Sequence, residues 1–195
     1  MDNRLRGERS NTMSNLLVQN IKHTNGNTAM TVNSNGLILP KIPILQVNAS
    51  NTDQAYTGQN SASIKVQWET VQVDTLSGWD SSNHRYQPTV AGFYLVGGVL
   101  RMNTNINQVI AIRVKKNGAA DSGSGVDVEN TLFIQLNGPD ADAYNNGSYP
   151  IPTGLMEMNG SGDYMEVFFA SEEDCTLHDS SATKSHFFAQ LVHAT

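Results

Sequence analysis

Side chains that could hold a metal ion are poorly spaced for that task in this sequence. The five histidines show no spacing typical of a zinc site. Asp140 and Asp142 could begin a calcium loop. However, positions six and twelve of an EF-hand loop would be Asn145 and Ile151, which are not the glycine and glutamate that such a loop needs. The sequence therefore assigns no metal ligands.

Nucleophilic chemistry is equally poorly supported. Cys175 is the only cysteine, so no intrachain disulfide can form. Its neighbours Glu172, Glu173 and Asp174 would raise the pKa of a thiol, which favours a small structural residue over a nucleophile. There is no Gly-x-Ser-x-Gly elbow, and the glycine-rich segment 121–125 lacks the lysine of a phosphate-binding loop. We predict no catalytic residues, no cofactor and no enzymatic activity.

The composition favours β structure and argues against two classes of function. Charged residues make up 15% of the chain, while Asn, Gly, Ser and Thr, which build turns and exposed strand faces, are abundant. A net charge of −6 is unlike that of a nucleic-acid-binding protein. No apolar run approaches the ~20 residues of a membrane span, and residues 1–12 are too polar for a signal peptide. We expect neither nucleic-acid binding nor membrane insertion.

Three zones follow one another along the chain. Residues 1–13 form a polar arm without periodicity. Residues 14–41 contain short β-prone segments separated by Asn-Gly turn signals. Strands this short need a partner surface, either the main domain or copies of themselves. Residues 42–195 form the main domain, and its first strand is predicted over Ile42–Val47.

Apolar and polar residues alternate repeatedly in the main domain, as in strands with one buried face. The clearest runs are 64–69, 110–114 and 132–136, and Asn-Gly occurs six times in the chain. We expect a bulge or a strand break near Thr70, where the phase of the first run changes. The pattern predicts an all-β sandwich of about eight strands.

Three predicted strands carry apolar residues on both faces, at 93–100, 164–169 and 186–192. A sandwich strand buries one face in its own core, and a large exposed apolar patch would promote aggregation. Another copy of the chain is the simplest cover for the second face, although a loop or the N-terminal zone could also supply it. The candidate interface residues are Phe93, Tyr94, Leu95, Val96, Tyr164, Met165, Phe168, Phe169, Phe187, Phe188 and Leu191.

Four segments of the main domain occur in a family-specific order: 86–94 (YQPTVAGFY), 114–118 (VKKNG), 158–167 (MNGSGDYMEV) and 187–191 (FFAQL). This order resembles the jelly-roll shared by the complement globular head and the tumour-necrosis-factor ligands, with Ala189 at a position where that family usually has glycine. The resemblance implies an all-β jelly-roll that forms a homotrimer about a threefold axis. Some complement-like trimers bind calcium near the axis, but the resemblance assigns no calcium ligands here.

The N-terminal zone carries a short pattern of apolar residues and glycines. The pattern consists of Ile21, Gly26, Ala29, Met30, Val32 and Gly36. It is similar to the openings of tailed-bacteriophage fibre and appendage proteins, which place a short β unit before a trimeric head. The resemblance implies that a β-hairpin unit and the polar arm anchor the protein to a particle. The candidate anchoring residues are Arg4, Arg6, Arg9, Leu17, Val18, Ile21, Met30 and Val32.

Together, the two resemblances imply a bacteriophage virion structural protein. It would be a trimeric capsid decoration, head fibre or tail-fibre tip on the virion surface, with capsid or tail proteins as partners. The loops predicted at 74–88, 118–130 and 137–152 would contact a host receptor or glycan. The alternative is a free carbohydrate-binding or cytokine-like trimeric ligand module.

Overall fold

The computed structural model of the protein describes residues 20–22, 28–36, 38–49, 54–57, 64–104, 109–118, 131–137, 147–171, 174–177 and 185–195. Every regular element within these ranges is a β-strand, so the all-β prediction is confirmed. The strands are β1 (Asn20–Lys22), β2 (Thr28–Val32), β3 (Ile38–Pro40), β4 (Ile44–Ala49), β5 (Gln54–Tyr56), β6 (Ile64–Lys65), β7 (Trp68–Asp74), β8 (Trp79–Asp80), β9 (Arg85–Tyr86), β10 (Ala91–Thr104), β11 (Val109–Lys116), β12 (Thr131–Asn137), β13 (Gly147–Asn159), β14 (Met165–Ser171), β15 (Cys175–Leu177) and β16 (His186–Ala194).

The chain divides into two compact units, Met1–Lys41 and Ile42–Thr195. In the first unit, β1, β2 and β3 form an antiparallel sheet in that order. The predicted turn before β3 is present, because Gly36 has a φ of 75° and its N–H donates to the carbonyl of Asn33 at 2.9 Å. Glycine tolerates this positive φ without steric cost.

The second unit is built from two sheets. One has seven strands in the order β5-β15-β10-β16-β4-β7, with β13 paired to β10. The other has six strands in the order β12-β11-β14-β9-β8, with β6 paired to β14. The described strands of this unit outnumber the predicted eight, because several are pairs or triplets of residues too short to produce an alternation of their own.

The phase change near Thr70 coincides with a bulge in the pairing of β4 with β7. β7 pairs with β4 through two register shifts, one on each side of the pair formed by Asn48 and Thr70. The expected bulge is therefore present. In addition, the predicted continuous strand 64–69 is interrupted. β6 belongs to the six-stranded sheet and β7 to the seven-stranded sheet, so the chain changes sheets at Val66 and Gln67.

The two sheets enclose one hydrophobic core, as expected for a sandwich. Contacts between aromatic rings cross from one sheet to the other. Tyr56 of β5 meets Phe169 of β14 edge to face at 5.0 Å, and Tyr86 of β9 meets Tyr94 of β10 at 6.1 Å. The Tyr94 hydroxyl donates to the carbonyl of Val90 at 2.8 Å, so this buried polar group is satisfied.

Strand β13 corrects the prediction of a loop over 137–152. Residues from Gly147 onward are strand, paired along β10 from Met102 to Ala91. Pro150 and Pro152 concealed this strand in the sequence, since proline cannot donate to a sheet ladder. Proline is tolerated here because, among the described strands, β13 pairs with β10 alone and its other edge joins no ladder.

A buried carboxylate ties the end of β13 to the turn after β11. Asp163 accepts hydrogen bonds from Asn117 Nδ2 at 2.8 Å and from the backbone N–H of Asn159 at 2.9 Å, and it pairs with Lys116 Nζ at 2.7 Å. Burial acts to raise the pKa of this carboxyl. The hydrogen bonds from Asn117, Lys116 and Asn159 outweigh that effect, and the pKa is lowered from its ordinary value of 3.8.

We expect Asp163→Asn to destabilise the fold by roughly 1–3 kcal/mol near neutral pH, because it leaves buried donors without their carboxylate. The folded pKa of Asp163 is depressed. Its contribution to stability is therefore fully present above the ordinary carboxyl pKa and is lost as pH falls through the folded pKa. Denaturant unfolding at several pH values checks this. The gap between the two proteins should narrow in acid, whereas a gap independent of pH would contradict the assignment.

Candidate subunit interface

The outward face of strand β10 is apolar. Successive residues of a strand point to opposite faces. Tyr94, Val96 and Leu100 are fully buried in the core. Phe93, Leu95 and Val99 have the opposite parity and are half-buried on the other side of the sheet.

Two neighbouring strands extend this apolar face. Leu155 of β13 lies opposite Leu95, and Phe188 of β16 lies opposite Gly97. A Cβ atom on Gly97 would approach the Phe188 ring to 3.0 Å and Thr153 Oγ1 to 2.7 Å, so both side chains lie close against the strand. Leu155 is 57% exposed. The outer face, as we call it below, consists of Phe93, Leu95, Val99, Leu155 and Phe188.

Polar side chains border the outer face. Gln46 lies opposite Phe188, and Gln190 lies opposite Leu95 and is exposed. His193 approaches the ring of Phe93 with 6.4 Å between centroids, and Glu157 pairs with Phe93 from β13. An apolar centre with a polar rim is the usual arrangement of a protein–protein interface.

Five of the predicted interface residues instead belong to the core of the chain itself. Each is at most 1% exposed, so none can contact another copy. The error arose because both faces of these strands are apolar, so the sequence did not reveal which face turns inward. The five residues are Tyr94, Val96, Met165, Phe169 and Phe187. A sixth, Leu191, is partly buried and packs against the same core.

Two further candidates are covered by side chains of their own chain. Phe168 lies on the outward side of β14, where the Lys115 ammonium sits 4.6 Å from its ring centroid. The Arg85 guanidinium lies over the Tyr164 ring, 4.4 Å from the ring centroid. Cation–π contacts of this kind explain an apolar ring on a solvent-side face without a second copy. The structure thus brings Phe93, Leu95 and Phe188 together and separates them from Tyr164 and Phe168.

Leu155 was missed by the sequence prediction. The alternation expected of a strand with one buried face was present in the sequence. Leu155, Glu157 and Asn159 alternate with the buried residues Met156 and Met158. It was obscured because the prolines and glycines at the start of β13 suggested a loop.

The candidate anchoring residues are described only in part. Ile21 is 51% exposed, and Met30 and Val32 are half-buried. The other candidates, Arg4, Arg6, Arg9, Leu17 and Val18, lie outside the described residues.

The single cysteine of the sequence, Cys175, is buried. Burial raises the pKa of the Cys175 thiol, the hydrogen bond with Ser171 lowers it, and the charge of Asp174 raises it, for a net increase. Within the described ranges, no group of three or more His, Cys, Asp or Glu side chains could hold a metal ion. The part of the chain that the structure describes contains no helix long and apolar enough to cross a membrane.

Comparison with solved structures relates this architecture to known proteins. The globular domain of zebrafish complement 1qA protein matches with a TM-score of 0.51 and 10% sequence identity, covering 78% of this chain and 99% of that chain. Eiger TNF from S. frugiperda matches with a TM-score of 0.53 and 12% identity, covering 80% of this chain and 95% of that chain. The fold is a complement- and TNF-like jelly-roll. No family model and no curated protein matches the sequence.

This likeness confirms the jelly-roll predicted from the order of the motifs. At these identities the likeness establishes the fold alone.

Proposed function

We propose that the protein is a homotrimer in which the outer face is buried between copies, and that it serves as a binding module rather than an enzyme. The observation that carries this proposal is the cluster of five apolar side chains on the outward side of the seven-stranded sheet. Burying apolar surface between copies contributes about 25 cal/mol per Å² before the cost of association is subtracted. Threefold symmetry is what the resemblance to complement and TNF jelly-rolls implies.

The proposed setting is the surface of a bacteriophage virion. There the trimer would be a capsid decoration, head fibre or tail-fibre tip, held to a capsid or tail protein through the polar arm and residues 14–41. The division of the chain at Lys41 supports a separate attachment unit. The segment 74–88, which contains the paired strands β8 and β9, would contact a host receptor or glycan.

Immunogold labelling of intact virions with an antibody to the jelly-roll tests this setting. Gold over the capsid supports a decoration or head fibre, and gold at the tail supports a fibre or baseplate tip. Virions that remain unlabelled, with the antigen accessible, would exclude the virion role.

A free trimeric ligand module is the second candidate. The structural match to Eiger TNF favours it. In that case, purified protein would bind cells or immobilised glycans with saturable affinity while virions stayed unlabelled.

Leu155→Glu is expected to dissociate the trimer while leaving the monomer folded. The side chain is 57% exposed in the single chain, so the substitution creates no internal strain. In the assembly, the new carboxylate would be buried without a partner, which costs several kcal/mol and weakens association by roughly 100-fold or more. Sedimentation equilibrium measures the mass, and circular dichroism monitors the fold.

Gln135→Glu is the matched control for Leu155→Glu. It introduces a carboxylate on an exposed residue of β12 in the other sheet. Its mass should equal that of the unmodified protein. If the unmodified protein, Leu155→Glu and Gln135→Glu all had the same mass in solution, the outer face would not be the interface.

A further inference from the structure

The small N-terminal sheet has one apolar face of its own. Cross-strand partners share a face of a sheet, and so do residues two apart on one strand. Ile21 of β1 pairs with Met30 of β2, and Val32 of β2 pairs with Ile38 of β3. These four side chains therefore form one apolar strip, which we call the N-terminal strip. Ile21 is 51% exposed and Ile38 is 59% exposed.

The opposite face of this sheet is polar where its side chains are described. Asn20 pairs with Thr31, and the Thr31 hydroxyl donates to Asn20 Oδ1 at 3.1 Å. Among the described side chains of this sheet, those of the N-terminal strip are the ones that need a cover.

The size of the N-terminal strip limits what can cover it. Its strands are three to five residues long, and so small a sheet is marginal in water without a packing partner. Four side chains per copy also present far less than the roughly 800 Å² per partner of a standard stable interface. A free macromolecule would be held weakly by this surface, so a tethered partner fits it better.

Copies of the same chain provide such a tether. β3 ends at Pro40 and β4 begins at Ile44. Ile44 lies opposite Gln190, and Gln46 lies opposite Phe188 of the outer face. The carbonyl of Pro43 also accepts a hydrogen bond from the N–H of Leu191 at 3.0 Å, which fixes the start of the jelly-roll to β16. If jelly-rolls associate through the outer face, this short connection raises the local concentration of their N-terminal sheets to about millimolar.

We infer that the N-terminal strips of neighbouring copies pack against one another and form a second, smaller contact of the same trimer. This inference rests on the proposed trimer and extends it to residues 20–40. The contact between N-terminal strips forms only when the jelly-rolls are associated. The jelly-rolls bring the N-terminal sheets of different copies close together, and the N-terminal strip supplies the specific packing. Ile21, Met30 and Val32 would then pack between copies of the chain, and attachment to a particle would fall to the polar arm and the other residues of 14–41.

Cross-linking of the full-length protein tests this inference. Packed sheets lie ~10 Å apart, within reach of a short bis-maleimide. The natural Cys175 is buried and serves as the internal background. Ile38→Cys should cross-link between chains about tenfold faster than Ser34→Cys, which lies in the exposed turn of the same unit. Tethering acts on both cysteines alike, so the difference reports which one faces a neighbouring copy.

A charge substitution provides the second readout. Ile38→Glu should lower the denaturant midpoint of trimer dissociation, whereas Ser34→Glu should leave it unchanged. Equal cross-linking of the two cysteines, with the trimer intact, would overturn the inference and leave the proposed function standing. Full-length protein that sediments as a monomer would instead overturn the proposed function, and the inference with it.

Discussion

Gly98→Ala is expected to destabilise the jelly-roll strongly. Gly98 has a φ of +151°, and a Cβ built there would lie 2.1 Å from the carbonyl oxygen of His186 and 3.0 Å from Ile151 Cδ1. The contact with His186 is to backbone of the adjacent strand β16, so a side-chain rotation cannot relieve it. Overpacking costs about 1–3 kcal/mol and a strained backbone about 1–3 kcal/mol more.

Thermal unfolding measures the effect of Gly98→Ala. We expect the midpoint to fall by roughly 10 °C or more. Gly162→Ala is the matched control, because nothing lies within 4 Å of a Cβ atom at that position. It should change stability by less than about 0.5 kcal/mol. A Gly98→Ala protein as stable as the control would mean that β10 and β16 are not in this register.

Phe187→Ala is expected to cost about 3–5 kcal/mol of folding free energy, the usual loss for a buried aromatic side chain. Phe187 is 1% exposed, and its ring stacks on Trp68 with 6.2 Å between centroids. The neighbouring Phe188→Ala removes the same atoms from the outer face. It should cost less, about 1–2 kcal/mol in a monomer, because that ring is only half-buried.

Both phenylalanine variants should be compared in the Leu155→Glu background. Association adds to apparent stability, and a monomeric background removes that contribution. Denaturant unfolding at matched protein concentration then reports the fold alone. Equal losses for Phe187→Ala and Phe188→Ala would contradict the assignment of the two rings to opposite faces of β16.

Much of the fold could be predicted from the sequence because it depends on local patterns. The alternation in 110–114 and 132–136 became β11 and β12, and the change of phase near Thr70 became a register shift in the pairing of β4 with β7. Such patterns are set by which face of a strand is buried. β13 escaped prediction because Pro150 and Pro152 are compatible with a strand only where the sheet pairing leaves them free, and pairing is not a local property.

The candidate interface was harder to predict, for a physical reason. In Phe187-Phe188, adjacent rings have equal hydrophobicity, and their different roles depend on which one the opposite sheet covers. Phe168 shows the same limit, since its cover is Lys115 from the neighbouring strand β11. Apolar residues on both sides of a strand indicate that both sides are covered. Long-range packing determines whether the cover is the opposite sheet, a side chain of the same chain or another copy.

The mass of the full-length protein at micromolar concentration, determined by sedimentation equilibrium, tests the central claim most directly. We predict three times the 21.2 kDa of the chain, falling to the mass of one chain in Leu155→Glu. A mass of 21.2 kDa for the unmodified protein, with the fold intact by circular dichroism, would contradict it. The outer face would then be an exposed apolar surface whose partner is another molecule.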